Sequence, residues 1–267
     1  MFPKLFELGG FFLPTYGVMV AIGFLAGLWI VRRLAARVPL DDEKITNLVI
    51  YCALAGLAGA KLFIFLFDWN AFIAKPSDFL TLSTLQAAGV YQGGFLLALA
   101  FAIYYIRRHG LPLLTTLDIF APGIAIGHAF GRIGCLAAGC CYGTECTRPW
   151  AVKFTSVDAN KMTGVPLEVP LHPTQLYEAS FNLALAGLLY WLFNRRPQPG
   201  LVFAAYLSLY SIFRFAVEFV RHHEQALSGG LSNTQWISLA TLVAGLALLR
   251  HALSRPRLQQ TGDARQS

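Results

Sequence analysis

The sequence contains little charge for its length. Only 13% of the 267 residues are Asp, Glu, Lys or Arg, about half the share of an average soluble domain. The 21 basic and 14 acidic residues are too few to cover the surface that a soluble protein of this size exposes. The composition therefore argues against soluble enzymes and soluble nucleic-acid-binding proteins. With 56% hydrophobic residues and a mean hydropathy of +0.54, it indicates a polytopic membrane protein.

Seven apolar segments are long enough to cross a bilayer, which takes about 20 residues. The sequence thus predicts an all-α polytopic membrane protein in which residues 1–253 form a bundle of about seven transmembrane helices. The polar residues 254–267 are expected to form a disordered tail. The seven segments are residues 11–31, 47–67, 87–106, 119–138, 174–193, 200–220 and 233–249.

The basic residues indicate the orientation of this bundle. They cluster after the first, third, fifth and seventh spans, as at Arg32, Arg33 and Arg37 after the first. Under the positive-inside rule these ends face the cytoplasm, so the N-terminus lies outside and the C-terminal tail is cytoplasmic. Residues 139–171, the only long segment between spans, then form a small extracytoplasmic head. The net charge of +7 reflects topology, so the expected partner is the lipid bilayer and not a nucleic acid.

Six spans each carry one polar group at a similar depth. Each group lies about 14 to 18 residues from a charged residue at the cytoplasmic end of its span, or roughly 21–27 Å into a core about 30 Å thick. A shared layer would mark a functional site near the outer surface, because ionisable groups in a membrane are costly unless paired or solvated. Coincidence stays an alternative, since helix starts are uncertain by a few residues. The six groups are Tyr16, Lys61, Gln92, Arg132, Glu178 and Arg214.

Two arginines of this layer suit a phosphate. A guanidinium group stays charged and binds two phosphate oxygens at once. Arg132 and Arg214 therefore indicate a site for a phospholipid headgroup. Tyr210, Arg214 and Glu218 are spaced four residues apart and share one face of the sixth span. The alternative is that Arg214 and Glu218 only neutralise each other, which leaves Arg132 without a partner on its own helix.

His172 is the candidate for a catalytic base. It precedes Pro173 at the predicted start of the fifth span. The positive end of the helix dipole there favours the neutral ring, which can accept a proton. A histidine at a helix start also serves as a cap, and that alternative stays open.

Four of the five cysteines lie close together at the predicted outer end of the fourth span. Their C-x4-CC-x4-C spacing matches no common zinc pattern, and an oxidising outer face favours a disulfide. A structural disulfide or buried thiols, a redox function and a metal site all stay open, although no metal and no other cofactor is expected. The four are Cys135, Cys140, Cys141 and Cys146, and Cys52 lies in the second span.

The assembled motifs resemble those of the prolipoprotein diacylglyceryl transferases of bacterial inner membranes. The resemblance extends from about Tyr16 to Arg221 and implies seven spans with the N-terminus outside, in the bacterial cytoplasmic (inner) membrane. Its motifs are YG at 16–17, QGG at 92–94, DIFAP at 118–122, GRIGCLAAGCCYG at 131–143, HPTQLYE at 172–178 and YSIFRFAVEFVR at 210–221.

The resemblance implies transfer of the diacylglyceryl group from phosphatidylglycerol to the lipobox cysteine thiol in the signal peptide of a preprolipoprotein. The products are a thioether and glycerol phosphate. Arg132 then binds the headgroup, Arg214 is likewise essential, and His172 is the added candidate base. The expected substrate-binding residues are Arg132, Tyr16, Gly17, Gln92, Gly93, Gly94, Gly143, Tyr177, Glu178, Tyr210 and Glu218.

Three residues depart from the family pattern. The family has histidine, asparagine and glutamate where this sequence has Gln92, Cys135 and Cys140. Glutamine cannot accept a proton, so a presumed base is lost and thiols are added near the site. Either His172 replaces that base, or water within the field of the arginines deprotonates the substrate thiol.

Other functional classes stay open. One is a membrane thiol–disulfide enzyme that uses the cysteines from Cys135 to Cys146, and another is a divergent relative that acts on a different thiol or lipid. A third is a transporter or flippase whose polar layer is a substrate path. The absence of internal repeats and the position of the layer near one surface count against transport.

Overall fold

Helices account for most of the residues that the computed structural model describes, which are 2–8, 11–67, 69, 73, 89–195, 197–222 and 229–254. Among these residues the helices are α1 (Thr15–Ala35), α2 (Asp42–Phe67), α3 (Tyr91–Arg108), α4 (Leu113–Ala138), α5 (Val157–Thr163), α6 (Thr174–Asn194), α7 (Leu201–Val217) and α8 (Asn233–Leu253). A 3₁₀ turn over Glu218–Val220 extends α7. Two antiparallel pairs of short strands are β1 (Lys4–Leu8) with β2 (Phe11–Pro14) and β3 (Val152–Lys153) with β4 (Pro170–Leu171).

Six of these helices are long and apolar enough to cross a membrane, which confirms the predicted all-α polytopic class. They are α1, α2, α4, α6, α8, and α7 together with its 3₁₀ turn. The span expected at residues 87–106 corresponds to α3, which is helical for 18 residues. This helix is less apolar than the six, since it contains Gln92 and ends in Arg107 and Arg108. A seventh span therefore stays a prediction.

The first span begins one turn later than the sequence predicts. Residues 11–14 form β2, and α1 starts only at Thr15. Pro14 occupies the N-cap position in an extended conformation, and the residue before a proline is also held extended. The predicted helical start at residue 11 is therefore wrong. The predicted C-terminal tail at 254–267 lies outside the described residues beyond Ser254.

The chain divides into two compact units. The first comprises Met1–Pro39 and Leu114–Ser267, and the second comprises Leu40–Leu113. The second unit contains α2 and α3, which approach closely through small residues. A Cβ added at Gly59 would lie only 2.4 Å from the carbonyl oxygen of Gly93. Such contacts are typical of helix packing in lipid.

In the first unit, α1 and α4 also pack through glycines. A Cβ at Gly27 would lie 2.9 Å from the carbonyl oxygen of Gly123, and a Cβ at Gly23 would lie 2.8 Å from Cβ of Phe130. This close approach fixes the helix that carries Arg132 against α1.

A buried carboxylate holds the start of α7. The Oδ2 atom of Asp118 accepts a hydrogen bond of 2.6 Å from the backbone N–H of Gly200, and Oδ1 accepts one of 2.8 Å from that of Phe203. The first amides of a helix have no partner within the helix, so this side chain of α4 satisfies them. Gly200 adopts a left-handed conformation with a φ of 93°. The helix that bears Arg214 is thereby anchored to α4.

Residues 139–171, expected to form the head, fold into a small structure of their own. It contains α5 and the pair β3–β4, and its core is formed by Phe154, Ala159, Val165 and Leu171. Ser156 caps α5 by accepting a hydrogen bond from the backbone of Ala159. The location of this head outside the cytoplasm stays a prediction.

The glycine contact between α1 and α4 leads to a prediction about stability. We expect Gly27→Ala to lower the unfolding free energy by about 1–3 kcal/mol, because its methyl group would overlap the backbone of α4. Gly187→Ala in α6 is the matched control, since no atom of the described residues lies within 4 Å of its added Cβ, apart from its chain neighbours and the backbone of its own helix. Thermal unfolding of both variants in detergent measures the difference. Equal melting temperatures would contradict the proposed steric contact.

Candidate functional site

The side chain of Glu178 is the centre of a buried cluster of charges. Its Oε2 atom lies 2.9 Å from Nε of Arg132 and 4.0 Å from Nε2 of His128. Its Oε1 atom accepts a hydrogen bond of 3.3 Å from Nη1 of Arg221. The carboxylate is fully buried, whereas the two arginine side chains are 15% and 16% exposed. One carboxylate therefore holds two guanidinium groups at the edge of the bundle.

The start of α6 is fastened to the loop that follows α4. The hydroxyl of Thr174 donates to the carbonyl oxygen of Cys141, and Nε2 of Gln175 donates to that of Cys140, both at 2.7 Å. These two bonds fix the first turn of α6. They thereby direct Glu178, one turn further on, towards Arg132 of α4.

A second ion pair joins α7 to its 3₁₀ turn. Nη1 of Arg214 donates to Oε2 of Glu218 at 2.6 Å. The Oε1 atom of Glu218 accepts a hydrogen bond of 2.8 Å from the hydroxyl of Ser232, which also forms the capping box of α8. The predicted neutralisation of Arg214 by Glu218 is thus observed. Arg132 pairs with a carboxylate of a different helix.

Aromatic and imidazole rings connect the two ion pairs. The centroid of the His128 ring lies 5.3 Å from that of Tyr210, and Nε of Arg132 donates to Nε2 of His128 at 3.2 Å. Tyr210 lies one turn before Arg214 on the same face of α7, as the four-residue spacing predicts. The structure therefore brings the predicted residues of α4, α6 and α7 together.

The two arginines retain hydrogen-bond donors. The described contacts of Arg132 with His128 and Glu178 use its Nε atom, and those of Arg214 use Nη1. Within the part of the chain that the structure describes, no hydrogen bond engages the Nη atoms of Arg132 or the Nη2 atom of Arg214. Since a guanidinium carries five N–H donors, both can bind an anion while keeping their carboxylate partners.

His172 takes part in a polar chain beside this cluster. Its Nδ1 atom lies 3.2 Å from the hydroxyl oxygen of Tyr177, which accepts a hydrogen bond of 2.7 Å from Nε1 of Trp150. Pro173 is the N-cap residue and α6 begins at Thr174, so the predicted placement of the proline at the first helical position is wrong. The His172 side chain bonds Tyr177.

Gly143 lies where two segments of backbone meet. Its N–H donates to the carbonyl oxygen of His172 at 2.9 Å. A Cβ at this position would lie 2.4 Å from the carbonyl oxygen of Val220 and 2.6 Å from Cβ of His172. Only glycine fits here, so the predicted site residue Gly143 sets the distance between His172 and the segment after α7.

Three cysteine thiols form a compact group at the end of α4. The Sγ atoms of Cys135, Cys140 and Cys141 all lie within 4.8 Å of one another, and all five cysteines are free thiols. Contacts with the thiols of Cys135 and Cys140, together with the charges of Arg221 and Arg132, lower the pKa of Cys141. The structure therefore shows free thiols in place of the disulfide that the outer face favoured.

The remaining predicted residues lie in different surroundings. Tyr16 on α1 packs against Gly134 of α4, where an added Cβ would lie 3.1 Å from Cδ2 of Tyr16, and Gly17 follows it, packed near Pro14. Lys61 and the QGG motif lie in the second unit. There, Gly93 is in contact with Phe63, and Gly94 is in contact with Gly56. Membership of Lys61, Gln92, Gly93 and Gly94 in the same site stays a prediction.

Sequence reasoning missed two residues of the cluster. Neither Arg221 nor His128 is among the site residues that the sequence predicts. The sequence signal for Arg221 is its spacing of three residues from Glu218. The 3₁₀ turn lies between these two residues, and after it the side chain of Arg221 reaches Glu178. Its exposed fraction of 16% shows that it belongs to the cluster and not to the solvated surface.

A family model and several known proteins are similar to this chain over most of its length. The family model described as prolipoprotein diacylglyceryl transferase matches residues 3–251. The phosphatidylglycerol–prolipoprotein diacylglyceryl transferase of Clostridium tetani is 33% identical over 247 residues, which cover 92% of this chain and 96% of that protein. Transferase 2 of Clostridium perfringens is 32% identical over 91% of this chain and 92% of its own length. The transferase of Pseudomonas putida is 30% identical over 95% and 94%, respectively.

The buried position of Glu178 leads to a prediction. We expect Glu178→Ala to lower the unfolding free energy by about 3–5 kcal/mol, because two partly buried guanidinium groups lose their counter-charge. Glu145→Ala is the control, since Glu145 is exposed, and we expect a change within about 0.5 kcal/mol. Chemical denaturation in detergent measures both. A Glu178 variant as stable as the control would show that the cluster does not hold the helices.

Proposed function

The chain belongs to the prolipoprotein diacylglyceryl transferase family, and we propose that it transfers the diacylglyceryl group of phosphatidylglycerol to a cysteine thiol of a preprolipoprotein. The observation that supports this most directly is the pair of guanidinium groups of Arg132 and Arg214. Each is held by a carboxylate and each retains donors for an anion. A phosphodiester headgroup is the anion that the transfer requires.

The reaction is a substitution at carbon. The sulfur of the substrate cysteine attacks the glyceryl carbon, and the bond from that carbon to the phosphate oxygen breaks. The phosphate departs with the electron pair as glycerol phosphate, and the product is a thioether. Negative charge accumulates on the leaving phosphate, so donors already aimed at it lower the barrier. Arg132 and Arg214 supply these donors.

The two carboxylates act by positioning these arginines. Glu178 holds Arg132 together with Arg221, and Glu218 holds Arg214. Both carboxylates are almost completely buried, with side-chain exposures of 0% and 2%. Their proposed roles in substrate binding are therefore indirect.

The other substrate-binding assignments rest on their places around the cluster. The ring of Tyr210 is tilted against that of His128, and Gly143 and Tyr177 lie next to His172. Tyr16 and Gly17 begin α1. We include Gly93 and Gly94 because they match a family motif, and Gln92 because it occupies the position before them at which the family has histidine.

We also propose the membrane and the orientation. The protein is a membrane protein, and the family is bacterial, so the bacterial cytoplasmic (inner) membrane is its expected location. The basic ends of the spans face the cytoplasm under the positive-inside rule, which puts the N-terminus outside and the C-terminus inside. Signal peptides of preprolipoproteins would then reach the cluster near the outer leaflet, where phosphatidylglycerol is also available.

A second candidate function is thiol–disulfide exchange. The compact group of Cys135, Cys140 and Cys141 is the observation that favours it. The family match favours the transferase. The two functions differ in which substitutions abolish them, since exchange requires the thiols and tolerates the loss of Arg132.

Complementation tests the proposed function. In a strain depleted of its own diacylglyceryl transferase, we expect the wild-type chain to restore growth, and Arg132→Ala and Arg214→Ala to fail. Each loses a charge-stabilising donor, which costs about 10²–10³-fold in rate. Arg148→Ala is the control, because Arg148 is exposed in the head. Failure of the well-expressed wild type would overturn the proposal, and growth with Arg132→Ala would show that transfer does not depend on the donors of Arg132.

His172 as the base is tested separately. Loss of a positioned general base costs about 10²–10⁴-fold, so we expect His172→Ala to lower the rate of transfer to a lipobox peptide by that amount. His222→Ala is the control, since His222 lies outside the described contacts of Glu178 and stacks on Tyr142. Full activity of the His172 variant would show that another group accepts the proton.

A further inference from the structure

Three thiols are arranged around a single point. The Sγ atoms of Cys135, Cys140 and Cys141 lie within 4.8 Å of one another. Zinc–sulfur bonds of about 2.3 Å in a tetrahedral site correspond to sulfur–sulfur separations of about 3.8 Å. A contraction of at most about 1 Å would therefore bring all three onto one ion. A disulfide would use only two of the three.

The backbone holds these thiols together. The N–H of Cys140 donates to the carbonyl oxygen of Cys135 at 3.1 Å, which brings the loop back over the last turn of α4. Cys141 adopts a left-handed conformation with a φ of 62°, which is unfavourable for a residue other than glycine. Thr174 and Gln175 bond the carbonyl oxygens of the two loop cysteines. The strained conformation is thus maintained by α6.

Charge around the thiols is also suited to an ion. Three thiolates and one divalent cation leave a single negative charge. Arg132 lies one turn before Cys135 on α4, and Glu178 holds the guanidinium groups of both Arg132 and Arg221. These guanidinium groups can compensate the remaining charge beside thiols of which Cys135 is buried and Cys140 and Cys141 are partly buried.

We propose that Cys135, Cys140 and Cys141 bind one zinc ion, and that its fourth position binds the cysteine thiol of the preprolipoprotein. The role of the ion rests on the proposed function. Three protein ligands and one open position are the arrangement of catalytic zinc sites, and a coordinated thiol is deprotonated. The ion would thereby activate the substrate thiol, which Gln92 cannot do because glutamine does not accept a proton.

The step balances without an oxidant or reductant. The substrate thiol binds the ion as a thiolate and its proton goes to solvent. A sulfur lone pair forms the bond to the glyceryl carbon, while the carbon–oxygen bond to the phosphate breaks and its electron pair leaves with glycerol phosphate. The product thioether is neutral and a weaker ligand than the thiolate, so it leaves the ion and the open position returns.

Ion binding is tested on the purified, reduced, full-length protein in detergent. We expect Cd²⁺ to produce thiolate-to-metal charge-transfer absorption that saturates at about one ion per chain, and Zn²⁺ to compete with it. Each of Cys135→Ser, Cys140→Ser and Cys141→Ser should weaken binding by more than the 10- to 100-fold that loss of an outer-shell partner costs. Cys52→Ser and Cys146→Ser are the matched controls and should bind normally. The wild-type titration decides the question even where a variant does not fold.

The role in transfer is tested with the same preparations. We expect removal of the ion by a chelator to abolish transfer to a lipobox peptide, and added Zn²⁺ but not Mg²⁺ to restore it. Absence of stoichiometric binding by the reduced wild type, or a disulfide within the group in active protein, would overturn the ion site. Full transfer by metal-free protein would overturn the activation of the thiol.

The outcomes separate this proposal from the proposed function. Transfer that is active but independent of metal contradicts only the ion's role. Stoichiometric zinc binding by a chain that transfers nothing in any preparation contradicts the proposed function and the activation step, while it supports the ion site.

Discussion

The pairing of one buried carboxylate, Glu178, with the guanidinium groups of Arg132 and Arg221 is the interaction on which the candidate site depends. It joins α4, α6 and the segment after α7 at a single point. Because a buried charge that loses its partner is strongly destabilising, these three elements cannot separate without a large cost. The hydrogen bonds from Thr174 and Gln175 to the loop after α4 also hold α6 against α4. The position of Arg132 is therefore set by tertiary contacts on several sides.

The second ion pair likewise fixes the position of the other arginine, Arg214. Arg214 is held by Glu218, and Glu218 is held by Ser232 at the start of α8. Donors that are fixed before the reaction need no rearrangement when charge develops on a leaving phosphate. The carboxylates take up only part of the donor capacity of each guanidinium. Each guanidinium can thus be paired with a carboxylate within the bundle and still keep donors for an anion.

Prediction from the sequence succeeded where a feature depends on residues close together along the chain. Apolar length identified the spanning helices, and the four-residue spacing of Arg214 and Glu218 identified their ion pair. It failed where partners are distant in sequence, since nothing along α4 indicates that Arg132 pairs with Glu178. Arg221 is not predicted as a site residue, because a 3₁₀ turn, which hydropathy does not reveal, brings it to the cluster. The late start of α1 follows from the pairing of β2 with β1, which a long apolar run conceals.

The cysteines show how a local pattern can hide a site. Zinc motifs are identified by pairs of cysteines two residues apart, whereas here the end of a helix and a left-handed residue bring Cys135 next to Cys140 and Cys141. Two of these positions, and that of Gln92, are the places where the sequence departs from the pattern of its family. A thiol bound to a metal ion needs no protein base for its deprotonation. If the three thiols bind an ion, the loss of a histidine and the gain of two cysteines are parts of a single change in how the substrate sulfur is activated.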